Sequence, residues 1–259
     1  MSLLQLEKVS VHFGGVKAVN EVTFTVNQGD VFSIIGPNGA GKTTVFNLIS
    51  RIYNLHTGVM RFDGYDFSKL ATHKVAKLGI ARTFQNTELF EHETLLKNLL
   101  IGRHTHRKTH LLAEFCFLPS VHKQELAFRR VAEKVIDLLD LQSYRHQVIG
   151  NLPYGVRKMV EIGRALCMEP KLLLLDEPSS GLNPEETEDL GFWIEDVNEE
   201  LGVTVMMVEH DMSLVSRVSN KVLALCDGEV IAQGSPDDIR NNAQVSAAYL
   251  GEEHFAEAQ

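Results

Sequence analysis

At 259 residues the chain has room for one large α/β domain, alone or with a helical insertion, and either form buries a substantial core. Its 34 acidic and 25 basic side chains leave a formal charge of -9, which argues against a nucleic-acid surface spread over the molecule. Cys116, Cys167 and Cys226 lie far apart without CxxC spacing, so neither a disulfide framework nor a zinc site is indicated, and no run nears the ~18 apolar residues that span a bilayer.

Residues 1–7 lack the charged start and apolar core of an export signal, so the chain is expected to be neither exported nor self-anchored, with its thiols reduced in the cytosol. Residues 9–13 and 22–26 alternate apolar and polar side chains, as half-buried antiparallel strands do, and residues 27–30 supply turn chemistry. The runs 31–35, 172–175 and 203–208 are continuously apolar, which predicts parallel strands covered by helices on both faces. Between the first two runs, Val131, Val135, Leu138 and Leu139 fall on one face of an amphipathic helix, and a helical subdomain inserted at about 86–165 is expected. The run after Arg103, with His104, His106 and His110, lacks a second ligand pair at metal spacing and reads as a solvated loop. The apolar stretch 111–118 after it reads as core, or as a contact with a partner or lipid headgroups. Asn183, Pro184, Glu185 and Glu186 form an N-cap, a first-position proline and first-turn acids opening a helix toward Glu200. Residues 222–226 and 229–232 around Asp227 and Gly228 read as a hairpin, and a tail follows from 236 to 259.

Two groups of residues carry chemistry. Gly36, Pro37, Asn38, Gly39, Ala40, Gly41, Lys42 and Thr43, continued by Thr44, spell GxxxxGK followed by threonine between an apolar strand and a helix. Such a loop turns backbone N–H groups around phosphate oxygens, adds the partial positive charge of a helix N-terminus, lets Lys42 reach the β- and γ-phosphates and offers the Thr43 hydroxyl to Mg²⁺. Asp176 and Glu177 end the second buried run, where a doubly wound sheet places its ligands; Asp176 is expected on Mg²⁺ and Glu177 on the attacking water. A GTPase would carry NKxD, whereas Asn220, Lys221, Val222 and Leu223 lack the aspartate, so ATP is favoured.

With these residues, the chain resembles the ATP-binding cassette (ABC) ATPases over essentially its whole length. The resemblance implies a single P-loop NTPase domain with a mixed central sheet, an N-terminal antiparallel β-layer and the inserted helical subdomain. Phe13 resembles the aromatic that stacks on adenine, Gln85 the glutamine that touches Mg²⁺ or the attacking water near the docking site of a membrane subunit, and His210 the switch histidine at the γ-phosphate. Leu152, Pro153, Tyr154, Gly155 and Val156 stand where the family reads LSGGQ; only Leu152 and Gly155 match, so a direct serine contact is lost and a helix N-terminus is what remains for the phosphate. Ser179, Ser180, Gly181, Leu182 and Asn183 resemble the loop that joins the two ATP sites across a dimer, with Asn183 where an aspartate is usual; helix capping by itself accounts for Asn183.

Within the family, Pro153, Tyr154 and Gly155, the run Glu209, His210, Asp211 and Met212, and the tail from Ile239 to Glu252 resemble the ATPase subunits of branched-chain amino-acid importers. That resemblance implies ATP and Mg²⁺ as cofactors and a second cassette, identical or different, as partner. It also implies membrane permease subunits, a periplasmic solute-binding protein, no nucleic acid, and a peripheral place on the cytoplasmic face of the cell membrane. A urea or short-amide importer shares the tail pattern. A soluble cassette of DNA repair or translation and a nucleotide sensor without turnover are the other readings.

Overall fold

Alternating side chains build the first layer. The structure is a computed structural model that describes residues 1–83, 89–107 and 119–256, with side chains to residue 249. β1 (Ser2–Phe13) and β2 (Val16–Asn27) pair antiparallel, with Leu4 opposite Val26 and Val11 opposite Val19. Both run longer than the cleanly alternating segments 9–13 and 22–26. Register shifts between Leu6 and Val9 and again around Val11 break the period of two and hide the continuity of the strands. On the other edge of β1 lies β4 (Thr57–Phe62), which carries the two-residue β5 (Tyr65–Asp66), for an order β2-β1-β4-β5.

The second sheet is built from the apolar runs. β3 (Val31–Ile35), β7 (Leu172–Asp176) and β8 (Thr204–Val208) are buried at every position and lie parallel. β6 (Ile80–Arg82) joins β7, β9 (Lys221–Cys226) joins β3, and β10 (Glu229–Gly234) returns antiparallel, giving β10-β9-β3-β8-β7-β6. This is the mixed central sheet expected from the sequence, with the expected hairpin at its edge. Because successive strand residues face opposite ways, Leu172 and Leu174 enter one core and Leu173 and Leu175 the other. The first core also takes Leu4, Phe24 and Phe62 from the antiparallel layer and Val45, Phe46 and Leu48 from α1 (Lys42–Ile49), so α1 is wedged between the two sheets.

Beyond the short α2 (Thr72–Val75), the second core is covered by α3 (Leu95–Ile101), α4 (Pro119–Leu138) and α5 (Tyr154–Leu166), which pack on one another between β6 and β7 in sequence. The inner face of α4 is turned from the expected one. Val135 and Leu139 are buried, but Val131 and Leu138 are half-buried, and Val121, Ala132 and Ile136 take the inner positions. Nor is the basic run wholly a solvated loop. Arg103 is buried and donates to Cys167 O at 2.7 Å, and a His106 ring nitrogen lies 2.8 Å from Met168 O, tying this turn to the end of α5. Among the described residues no group of three or more His, Cys, Asp or Glu side chains is placed to hold a metal ion. His110 and the apolar stretch 111–118 lie outside the described residues.

α6 (Pro184–Glu199) starts as expected: Asn183 Oδ1 accepts from Glu186 N–H and Glu186 Oε2 from Asn183 N–H, both at 2.9 Å, completing a capping box. α7 (Met212–Val218), α8 (Pro236–Arg240) and α9 (Ala243–Ala256) complete the chain. No helix among the described residues is long and apolar enough to cross a membrane. Replacing the cap, Asn183→Ala is expected to lower the unfolding free energy by about 1 kcal/mol, whereas Asn183→Asp keeps it, as urea melts of the two variants will read.

Candidate active site

Three neighbouring strands release their chains at one edge of the central sheet. The register pairs Ile34 of β3 with Val208 of β8 and Val208 with Asp176 of β7. Gly36, Glu177 and His210 therefore leave the sheet within two residues of one row, at the carboxyl ends where open sheets bind ligands. The loops are clamped to the strands between them: Glu177 N–H donates to Val208 O at 3.0 Å and Glu209 N–H to Ile34 O at 3.2 Å.

The 36–41 loop folds as its glycines demand. Gly41 holds φ 97° at the N-cap of α1, and a Cβ there would stand 2.5 Å from Ala18 O of β2, so no other residue fits. The N-terminus of α1 has no side-chain cap and no first-turn acid, which leaves its amide donors to an anion. Lys42 is buried and lies back over the loop, its Nζ donating to Gly36 O at 2.6 Å and Pro37 O at 2.9 Å. Thr43 is exposed and Thr44 half-buried on the first turn of α1, and Pro37, Asn38, Gly39 and Ala40 complete the loop ahead of it.

Asp176 is buried and paired with a residue that sequence reasoning missed. Arg82, at the end of β6, donates from Nη2 to Asp176 Oδ2 at 2.7 Å and from Nη1 to Asn47 Oδ1 at 2.8 Å and Ser50 Oγ at 3.2 Å. Its guanidinium carbon stands 5.6 Å from the centre of the Phe46 ring. One cation thus ties the end of β7 to α1. The only signal was a charge closing the apolar pair Ile80 and Ala81.

Glu177 has φ 49°, a left-handed conformation that costs a non-glycine residue on the order of 1 kcal/mol and is found where surrounding contacts enforce it. Those contacts are the bond to Val208 O and two donors on its own carbonyl, Ser180 N–H and Lys158 Nζ, each at 3.1 Å. Lys158 comes from α5. Burial pulls its pKa down, opposed by the nearby carboxylates of Glu161, Glu209, Glu177 and Asp176. His210 is exposed, and Asp211 caps α7, its Oδ1 accepting from Ser213 N–H at 2.8 Å, Leu214 N–H at 3.4 Å and Ser213 Oγ at 2.6 Å.

Phe13 stands exposed at the end of β1, its ring edge-on to Tyr53 at 4.9 Å. Gln85 lies outside the described residues; it follows Thr83, whose N–H donates to Leu174 O at 2.9 Å. Pro153 is the N-cap of α5 and offers no side-chain bond. Tyr154 and Gly155 pack on the loop that leads to α6: the Tyr154 hydroxyl donates to Ser180 O at 3.3 Å, and the Glu186 carboxylate fills the place a Gly155 Cβ would need. The structure therefore gathers the 36–44 loop, Asp176, Glu177 and His210 at one edge, and joins Pro153 to Gly155 to that group through Tyr154 and Ser180.

Fold and strand-end constellation together define a P-loop nucleoside triphosphatase. Residues 19–180 match the model of the ABC transporter family, and residues 229–254 match that of the branched-chain amino acid ATP-binding cassette transporter. The chain is 40% identical to the high-affinity branched-chain amino acid transport ATP-binding protein BraF of Pseudomonas aeruginosa, over 96% of its own length and 98% of that protein. It is 36% identical to the corresponding protein LivG of Escherichia coli, with the same coverage. Among solved structures it is similar to the ADP conformation of MJ1267, an ATP-binding cassette of an ABC transporter, with a TM-score of 0.85 and 30% identity over 97% of this chain and 99% of that one. The chain belongs to the ABC transporter ATP-binding family, a family of ATP-hydrolysing cassettes.

Two changes test the geometry. Arg82→Met leaves the buried Asp176 carboxylate without its cation and is expected to cost roughly 3–5 kcal/mol in urea unfolding. The amide and hydroxyl donors of residues 213 and 214 hold the Asp211 carboxyl below its ordinary range. Its stabilising contribution is therefore complete above the unfolded Asp pKa of about 4 and is lost as pH falls through the lower folded value. Asp211→Ala should be less stable than the parent by about 1 kcal/mol at neutral pH, the gap closing in acid melts.

Proposed function

We propose that this chain is the ATP-hydrolysing subunit of an importer for branched-chain amino acids, one of two cassettes that ATP draws together on membrane permease subunits. The observation that carries the reading is the meeting of the phosphate loop, Asp176, Glu177 and His210 at the ends of three adjacent strands. The cargo assignment rests on the relatives at 40% and 36% identity and on the match over residues 229–254. The chain is read as one cassette over residues 1–259, with its helical insertion at about 86–165 and a tail from 236, on the cytoplasmic face of the membrane. A periplasmic binding protein delivers the solute to the permease.

In this reading the backbone from Gly36 to Gly41 and the first turn of α1, with Thr44, cradle the phosphates. Lys42 exchanges the two carbonyls it now holds for β- and γ-phosphate oxygens. Phe13 offers its exposed ring to the adenine. The residues fit Mg²⁺, a hard cation that takes one or two protein oxygens and completes its shell with phosphate and water: the Thr43 hydroxyl on α1 and the Asp176 carboxylate at the end of β7 are such a set, with Gln85 as a further oxygen. Bound there, Mg²⁺ would neutralise charge on the phosphates. Arg82 holds Asp176 in one orientation for that task. Glu177, fixed by its carbonyl bonds, polarises the attacking water, and His210 donates to the γ-phosphate as charge develops.

One cassette leaves the γ-phosphate open to solvent, so the Pro153 to Gly155 turn of a second cassette closes it, using the N-terminus of α5 where the serine hydroxyl is missing. Lys42→Ala should weaken ATP binding, seen by titration with a fluorescent analogue. Glu177→Gln should bind ATP, dimerise on it in light scattering, and hydrolyse it at least a hundredfold more slowly. Undiminished turnover in Glu177→Gln would remove that carboxylate from the mechanism. Leucine uptake by cells whose only copy is Glu177→Gln tests the cargo; normal uptake sinks that assignment.

A further inference from the structure

Glu209 has no role in the scheme above, yet it is fully buried, with 0% exposure, directly before His210. Its two carboxylate oxygens serve two different loops. Oε1 accepts from Ser179 N–H at 2.8 Å, in the turn that follows Glu177. Oε2 accepts from His210 N–H at 3.0 Å, with Asp211 N–H at 3.4 Å. The same turn is held from beneath by Lys158 of α5, whose ammonium reaches Glu177 O.

A buried carboxylate is costly unless its oxygens are satisfied, and here backbone amides of both loops satisfy them. A bare structural plug at this strand end would need no charge. What a carboxylate adds is two acceptors at a fixed separation, so a shift of one loop must strain or break its bond to the other. The left-handed Glu177 and the exposed His210 are thereby referenced to one rigid group as well as to the strands that clamp their loops.

We propose that Glu209 is a positioning residue for ATP hydrolysis, bridging the Ser179 turn and the His210 loop so that Glu177 and His210 keep a fixed spacing. The inference rests on the roles proposed above for those two residues. Glutamine has the same shape but one acceptor, because its NH₂ cannot receive an amide hydrogen. In Glu209→Gln one of the two loops must therefore lose its bond.

The test is steady-state ATPase kinetics on the full chain in its assembled transporter, for Glu209→Gln, His210→Ala and the double variant. Glu209→Gln is expected to lower kcat at least tenfold with KM for ATP within about twofold. The double variant should turn over within about threefold of His210→Ala, because a residue acting through another adds little once that other is gone. A kcat near that of the parent for Glu209→Gln, or losses that multiply independently, overturns the proposal. A plain loss of stability would lower the active fraction in both backgrounds and so give multiplying losses. Wild-type turnover in His210→Ala would instead sink the role given to His210, a separate outcome. Hydrogen exchange at the Ser179 and His210 amides of the unaltered chain gives a test that does not depend on folding of a variant: both should be protected and exchange at matching rates, and free exchange at either refutes the bridge.

Discussion

The register of three parallel strands is the constraint on which the rest depends. With Ile34, Val208 and Asp176 in one row, the loops after β3, β8 and β7 have nowhere to go but the same edge, and each begins within two residues of that row. A slip of one residue in any strand would exchange its two faces, sending Leu173 or Met207 into the wrong core and moving the loop by a residue. The two hydrophobic cores, one shared with the antiparallel layer and one covered by helices, therefore hold the site's spacing as well as the fold.

Charges placed inside this apolar frame tie the loops to one another. Arg82 joins β7 to α1, Lys158 joins α5 to the Glu177 turn, and Glu209 joins that turn to the start of α7. The Arg82 side chain, Lys158 and Glu209 are each buried, and each makes at least one of its hydrogen bonds to a different element. Such groups are poor sources of stability compared with a well-packed side chain of the same volume, and their use is in orientation. In this protein they converge on the residues assigned to ATP, and they connect the α5 helix, whose N-terminus is proposed to face the partner's nucleotide, with the carboxylate proposed to act on water in its own.

Of the departures from the family's usual run, the one at Tyr154 has a physical sense in this structure. Tyr154 lies across Gly181 and bonds Ser180 O, and Gly155 is needed to admit the Glu186 carboxylate of the capping box. The turn is thus held against its own chain's α6 entry.

What could be read from the chain alone was local. The 36–43 loop, the uninterrupted apolar strands, the Asn183 cap and the 222–232 hairpin depend on residues a few positions apart, and the structure bears each of them out. β4 escaped because its six residues neither alternate cleanly nor run continuously apolar, and β6 because it has only three; each is a strand through the neighbour it pairs with. The inner face of α4 was misread by about one residue: Val135 and Leu139 lie on it as expected, but packing against α3 and α5 turns in Ala132 and Ile136 where Val131 and Leu138 were expected. Arg82 meets Asp176 across 94 residues and Glu209 meets Ser179 across 30, and no spacing rule reaches that far. Sequence determined which chemical groups this protein carries and the turns that present them; tertiary structure alone decided which charges face each other, because burial makes a carboxylate take whatever donor the fold has brought within 3 Å.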